Sequence, residues 1–247
     1  HPPKTRPQTI TLREGSVDMK SHLREDLEKL KTQILKVAIS VEENVRKSVK
    51  ALRELSPALA CEVINGDYDI DKLEVDTEEE CLKILALHQP VASDLRFVIT
   101  VLKINNELEH IGDMASNIAK RVSFIRTENP VPIPFDIETM TSRTVYMLKT
   151  SIDAFLQSDE LLAIGVCSDD AIVDEENRRC YGNVAEGIKD NPDGAMCYIN
   201  YLLVSKALER IADLCTNIAE DIIYMKRSLI VRHNLDDAIE RIKSEYE

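Results

Sequence analysis

Glu109 and Asp113 stand four residues apart, and one hundred residues later Glu209 and Asp213 repeat the arrangement. The strings that carry them, LEHIGDMASNIA from Leu108 to Ala119 and LERIADLCTNIA from Leu208 to Ala219, are identical at seven of twelve positions. A four-residue step along a helix turns by about 40°, so Glu109, Asp113 and Asn117 project from one side as a slowly rotating row. Further acids precede each string. Asp67, Asp71, Glu74 and Glu78 follow i, i+4, i+7, i+11 spacing, and the later copy offers Asp170 and Asp174, with Asn177 in the third place. If the two acid-bearing helices of each half pack side by side, a Glu-x-x-x-Asp from one faces an Asp-x-x-x-Asp from the other.

Like charges at this spacing cost a helix roughly a few tenths of a kcal/mol per pair. Partly burying several carboxylates together costs much more unless they protonate or gain a counter-ion, and a bound multivalent cation is a natural remedy. The ligands would be almost all oxygen, which suits hard cations such as Fe(III), manganese, magnesium or calcium, with zinc less specific. The competing reading is that acidic rows are solvated helix faces that keep the surface soluble.

The elements that must position these residues are helical. Leu23, Leu27, Leu30, Ile34, Val37, Val41 and Val45 mark one long helix with a narrow apolar seam. Ser56 and Pro57 then form a cap and first-turn pair for a second helix, which Gln89-Pro90 stops near His88. A third helix runs from Val91 to about Arg126 and carries the first string, with Leu95, Val98, Leu102 and Asn105 on the side of the acids. Asp94 and Arg96 are read as capping and bracing its start, with Arg96 holding an anion or a partner carboxylate as the functional alternative.

Pro130, Pro132 and Pro134 fall within five residues and forbid helix, so an extended linker divides two halves. The pattern restarts with Asp136 as N-cap and Ile137, Met140, Thr144, Leu148, Ile152 and Phe155 on one face. A fifth helix is expected over about Asp169 to Lys189 and a sixth from Ala195 to Leu229 with the second string. The fold class is therefore all-α: two tandem, pseudo-symmetric three-helix bundles, residues 22–127 and 136–233, joined by the Pro-rich linker 128–135. A flexible extension, 1–21, precedes them and a tail, 234–247, follows.

Bulk properties narrow the function. The 247 residues are 44% hydrophobic and 30% charged, with seven Gly and no Trp, a balance suited to long helices around a real core. A net charge of −13 argues against nucleic acid as a partner. Six cysteines show neither a CxxC pair nor zinc-finger spacing and read as small core residues in a reduced compartment. Neither a signal-peptide stretch nor a run near the ~20 apolar residues of a membrane span is found, so a cytoplasmic chain without membrane insertion is expected. His88 and His110 are isolated in sequence, and no Gly-rich phosphate loop, nucleophile elbow or Ser/His/Asp order occurs, so no enzyme is expected.

The stretch QPVASDLRFVITVLKINNELEHIGDMASNIAKR, preceded by DYDIDKLEVDTEEE and echoed by LERIADLCTNIAEDIIYM with a terminal IVRH, closely resembles the PhoU proteins of bacterial phosphate homeostasis. The likeness spans about residues 20 to 233 and involves both copies of the repeat. It implies two similar three-helix bundles, a homodimer, no established catalytic activity, and negative regulation of the phosphate-starvation response. Its implied partners are the ATPase of the phosphate ABC transporter and a sensor histidine kinase. It also implies multinuclear iron or zinc at the Glu-x-x-x-Asp motifs, here Glu109 with Asp113 and Glu209 with Asp213, with Asp67, Asp71, Asp170 and Asp174 from the second helix of each half. Two departures stand out: Gly194-Ala195-Met196 replaces Asp94-Leu95-Arg96, so any role of Arg96 in partner binding exists once, and Asn177 stands where Glu74 would be expected. The rival readings are a carboxylate-bridged di-metal oxidase or metal store in a helical bundle, and a metal-free helical scaffold.

Overall fold

The computed structural model describes residues 14–126 and 130–228, together with residues 240, 242, 244 and 245. Residues 1–13, the expected sixth-helix end at Leu229, the IVRH string and most of the 234–247 tail lie outside the described residues. The elements are α1 (Glu14–Arg53), α2 (Pro57–His88), α3 (Ala92–Ile125), α4 (Ile137–Gln157), α5 (Glu160–Asp190), a single 3-10 turn (Pro192–Gly194) and α6 (Ala195–Arg227).

Local chemistry sets most of these bounds. The Ser56 side chain accepts from the Leu59 amide with Pro57 in the first turn, and Gln89 ends α2 in the left-handed region ahead of Pro90. Asp136 caps α4 by accepting from the Thr139 amide at 3.0 Å. Two bounds differ from the sequence reading. α1 begins at Glu14, inside the stretch read as an extension. α5 begins at Glu160 rather than near Asp169, because Asp159 caps it through the amides of Leu161 and Leu162. The apolar run after that cap is its first buried turns, with Ala163, Ile164 and Val166 in the core.

The start of α3 also differs from expectation. Val91 occupies the N-cap position without a side-chain cap bond, so Asp94 does not cap the helix and only adds negative charge to its first turn. Arg96 turns the other way and donates from Nε to the Met225 carbonyl, 3.2 Å away, near the C-terminal end of α6. It braces one half against the other.

α1, α2 and α3 pack together, as do α4, α5 and α6, and the halves meet mainly where α3 lies against α6, with α1 touching α4. The α3·α6 contact is antiparallel: Arg96 meets Met225, Lys103 meets Asp221, Glu107 meets Asn217, and the Ile125 carbonyl meets Cys197. One end of each helix thus touches the opposite end of the other, and the two acidic strings lie near the centre of the crossing. Leu108, Ile111, Ala115 and Ile118 of α3 and Leu208, Ile211, Cys215 and Ile218 of α6 are fully buried in the core. The two bundles share one continuous apolar interior.

The linker is a strap. Val131, Pro134 and Phe135 are buried, the Pro134 carbonyl accepts from Asn183 Nδ2 at 2.8 Å, and Val131 packs so close to Gly194 that a Cβ there would lie 2.6 Å from its side chain. Among the described residues no helix is long and apolar enough to cross a membrane.

Where the halves meet, Lys103 Nζ lies 2.8 Å from Asp221 Oδ1 and 5.1 Å from the centre of the Tyr224 ring, with the Asp221 side chain only 3% exposed. Removing one member of such a pair strips a buried charge of a partner, whereas replacing both by apolar residues restores packing. Lys103→Ala should therefore cost roughly 1–3 kcal/mol in urea unfolding, and Lys103→Met with Asp221→Leu should recover most of it.

Candidate functional site

The acidic strings sit on α3 and α6, and the preceding acids on α2 and α5, which pack beside them. In the first half Ile70 and Cys81 of α2 are buried beneath the outer acids, and Gly112 of α3 faces them across the helix pair, where a Cβ would make ordinary contact with Asp67 Oδ1 and Ile70 at 3.4 Å. The second half has Ala212 at this place.

This packing brings the carboxylates of each half into one another's field. Burial raises the Asp67 carboxyl above its ordinary range; a Ser116 hydroxyl opposes the shift, and the charges of Asp113 and Asp71 add to it. Burial likewise raises Glu109, reinforced by Asp113, Asp71 and Glu74, with His110 opposing. The second half repeats the pattern. Burial raises Glu209, with Asp213 and Asp174 adding and Lys206 and Arg210 opposing. Asp170 is the extreme member, pushed up to about 6, first by burial and then by Asp174, Asp213 and Glu209. One of its oxygens, Oδ1, is buried without a hydrogen-bond partner. The eight expected residues thus form two patches, each drawn from two helices. Glu109, Asp67, Asp170, Asp174, Glu209 and Asp213 are partly covered, while Asp71 and Asp113 are exposed.

Proximity stops short of a closed coordination shell. Among the described residues no group of three or more His, Cys, Asp or Glu side chains converges closely enough to hold a metal ion as it stands. The donor set nevertheless fits a hard cation: oxygen only, mutually repelling, and including the unpartnered Oδ1 of Asp170. Side-chain rotation and water would have to complete the shell.

Beside each patch a polar contact ties the two helices, and the copies build it differently. Asn105 of α3 donates from Nδ2 to the Glu74 carbonyl at 2.9 Å and reaches its carboxylate at 3.5 Å. At the corresponding place Ser205 Oγ donates to Asn177 Oδ1 at 2.9 Å. The second half thus ties its helices through a side-chain acceptor, Asn177 Oδ1, where the first uses chiefly the Glu74 backbone carbonyl, and it carries one negative charge fewer. Sequence reading overlooked Glu107, which burial raises while Asn217 of α6 opposes, with His110 also opposing and Asp221 adding. Its signal was present: it lies on the seam side of α3, where the second copy has Ala207.

A carboxyl that is protonated more readily in the folded chain than in the unfolded one weakens folding as pH rises between the two values. For Asp170 that window runs from its ordinary 3.8 to about 6. In chelator-treated protein Asp170→Asn should therefore raise stability at pH 7.5 by on the order of 1 kcal/mol, after allowance for solvent screening. The gain should fade as pH is lowered through 6 towards 4, which thermal melts across that range will read.

The family model described as PhoU domain matches residues 34–122 and 137–222, one match in each half. The chain is 32% identical over 217 residues to the phosphate-specific transport system accessory protein PhoU of Serratia marcescens, covering 88% of this chain and 89% of that protein. It is 37% identical over 211 residues to the corresponding PhoU homolog of Aquifex aeolicus, covering 85% and 96%. Among solved structures, PhoU from Pseudomonas aeruginosa superposes with a TM-score of 0.80 at 33% identity, covering 83% of this chain and 99% of that one. The phosphate transport system regulatory protein PhoU from Streptococcus pneumoniae gives 0.76 at 28% identity, covering 85% and 99%. These relatives are named as accessory or regulatory proteins rather than enzymes. With both halves matched and nearly the whole length of each relative covered, the chain belongs to the PhoU family.

Proposed function

We propose that this chain is a cytoplasmic regulator of phosphate uptake and a negative regulator of the phosphate-starvation response, coupling the ATPase of a phosphate ABC transporter to a sensor histidine kinase through protein contacts. The observation that carries this reading is the pair of acidic patches on a fold shared with proteins named as phosphate-transport accessories. A regulator of this kind acts by favouring one state of its partner, so what it needs is a rigid body with docking surfaces. The continuous core shared by the halves supplies that body. Self-association as a homodimer belongs to the same proposal.

Deleting the gene from its host should switch on phosphate-starvation genes in phosphate-rich medium, and affinity purification of the tagged chain should recover the transporter ATPase and the kinase. Silent starvation genes in the deletion strain, with neither protein recovered, would refute the reading.

The proposal includes a cation in each patch, iron or zinc or another hard divalent ion. Glu109, Asp113, Asp67 and Asp71 would hold it in the first half, and Glu209, Asp213, Asp170 and Asp174 in the second. Bound there, the ion would neutralise the carboxylates and tie α2 to α3 and α5 to α6. Elemental analysis after purification without chelator, followed by titration with Fe(II), Mn(II) and Zn(II), should find at least one tight ion per chain. Asp170→Asn should weaken the second site by about tenfold or more. Absence of metal after purification together with no uptake on titration would leave the metal-free scaffold as the correct reading.

A further inference from the structure

The outer face of α2 carries a feature that neither the core nor the acidic patches account for. Ile64, Tyr68, Val75 and Leu82 are 37%, 73%, 48% and 53% exposed, although the opposite face of the same helix buries Val63, Ile70, Cys81 and Ile84. Tyr68, Val75 and Leu82 are spaced by sevens, which keeps them on one line along a helix, and Ile64 extends the line by one turn. Scattered exposed apolar residues are ordinary on any surface. A straight heptad stripe on one helix is the pattern by which helices recognise each other.

The second half provides an internal comparison. With Asp67 matched to Asp170 and Asp71 to Asp174, the stripe positions correspond to Cys167, Ala171, Arg178 and Ala185. Three large apolar side chains have become two alanines and an arginine. The repeat can thus be built without the stripe, so its presence on α2 is not a requirement of the bundle.

Charge identifies what would cover it. Between residues 62 and 83, α2 carries nine Asp or Glu against two Lys. Asp71 and Glu78 run along one side of the stripe, with Asp67 and Glu74 beyond them towards the first acidic patch, and Glu79 lies close on its other side. A second copy of α2 laid on this face would set these carboxylates against their own duplicates, at flanking positions where like charges weaken helix pairing. A helix bearing Lys or Arg beside its apolar seam would instead meet opposite charge along its length. We infer that the exposed face of α2 is a docking site for a basic amphipathic helix of another protein, with Tyr68, Val75 and Leu82 as the apolar contacts and the flanking acids selecting the partner. Tyr68, the largest and most exposed of the four, is the expected anchor. Of the two matching helices only α2 carries the stripe, which gives this two-fold repeated molecule one distinguishable docking end. The inference rests on the reading of the chain as a regulator acting through protein contacts. It can fail while the starvation phenotype stands, because its test is a binding measurement on the purified chain.

The probe is a labelled 21-residue peptide of three heptads, with Leu at the two seam positions, Lys at the flanking ones and Ala or Gln elsewhere. Fluorescence anisotropy at near-physiological salt measures its binding to the full chain. Two companion peptides are needed: one of the same composition with the heptad order scrambled, and one with Glu in place of Lys. Tyr68→Ala with Val75→Arg and Leu82→Ala places on α2 the residue types found at the matching positions of α5. This triple variant should weaken the basic peptide at least about tenfold, as should scrambling, and the Glu peptide should not bind. Ile172→Ala with Tyr181→Ala, on the exposed face of α5, should leave affinity unchanged. Tyr68→Ala alone, at an open surface position, repeats the comparison if the triple variant is destabilised. No binding by the ordered basic peptide, equal binding of the scrambled one, or unchanged affinity in the α2 variants would overturn the site. So would self-association of the native chain that the triple variant abolishes, since the stripe would then be covered by a second copy.

Discussion

Carboxylates that repel one another do not stay together unless something stronger holds their backbones, and in this protein that something is the antiparallel packing of α3 against α6. The two helices are buried along their length and pin the bundles into a single interior, with Lys103–Asp221 and Arg96–Met225 tying one end of the crossing. α2 and α5 then close on their own partners through Ile70, Cys81, Val173 and Cys180, and this brings their acids alongside the strings of α3 and α6. Hydrophobic burial supplies the organising free energy, and the acidic patches are strain that it sustains. The raised proton affinities of Asp67, Glu109, Glu209 and Asp170 are the electrostatic expression of that strain.

The two halves have kept this arrangement while diverging around it. Glu74 with Asn105 has become Asn177 with Ser205, and the interhelical tie moves from a backbone carbonyl to a side-chain oxygen with one fewer charge. Glu107 and Lys103 on one end of the α3·α6 face correspond to Ala207 and Leu203 on the other, so an ion-paired end faces an open groove lined by Arg121, Lys206 and Arg210. On the proposed reading of a regulator that works through contacts such differences matter, because a perfectly repeated body would offer each partner two equivalent places to bind.

Much of this was legible in the residues. Seven-of-twelve identity between the strings signalled the duplication, the three prolines from Pro130 marked the division, and Ser56 and Asp136 announced their helices as caps. What was misread followed from local rules competing with tertiary ones. α5 starts earlier than its periodicity suggests, because the apolar run after Asp159 looks like any core segment until its cap is seen. Asp94 looked like a cap by type, yet the chain reaches α3 through Val91 in extended conformation, and Arg96 is claimed by a carbonyl 129 residues away. The antiparallel register of α3 on α6, which decides that the bundles share a core, has no local signature. The stripe on α2 had one in its seven-residue spacing, though the same pattern on a buried face would read identically.

The central claim is that folding forces carboxylates from adjacent helices into a shared field, and the most direct measurement is the titration of the Asp170 carboxyl carbon by NMR in chelator-treated protein. The account predicts a midpoint of about 6, well above the ordinary 3.8, and a fall when a hard cation is added. A midpoint near 3.8 that cations leave unmoved would contradict it.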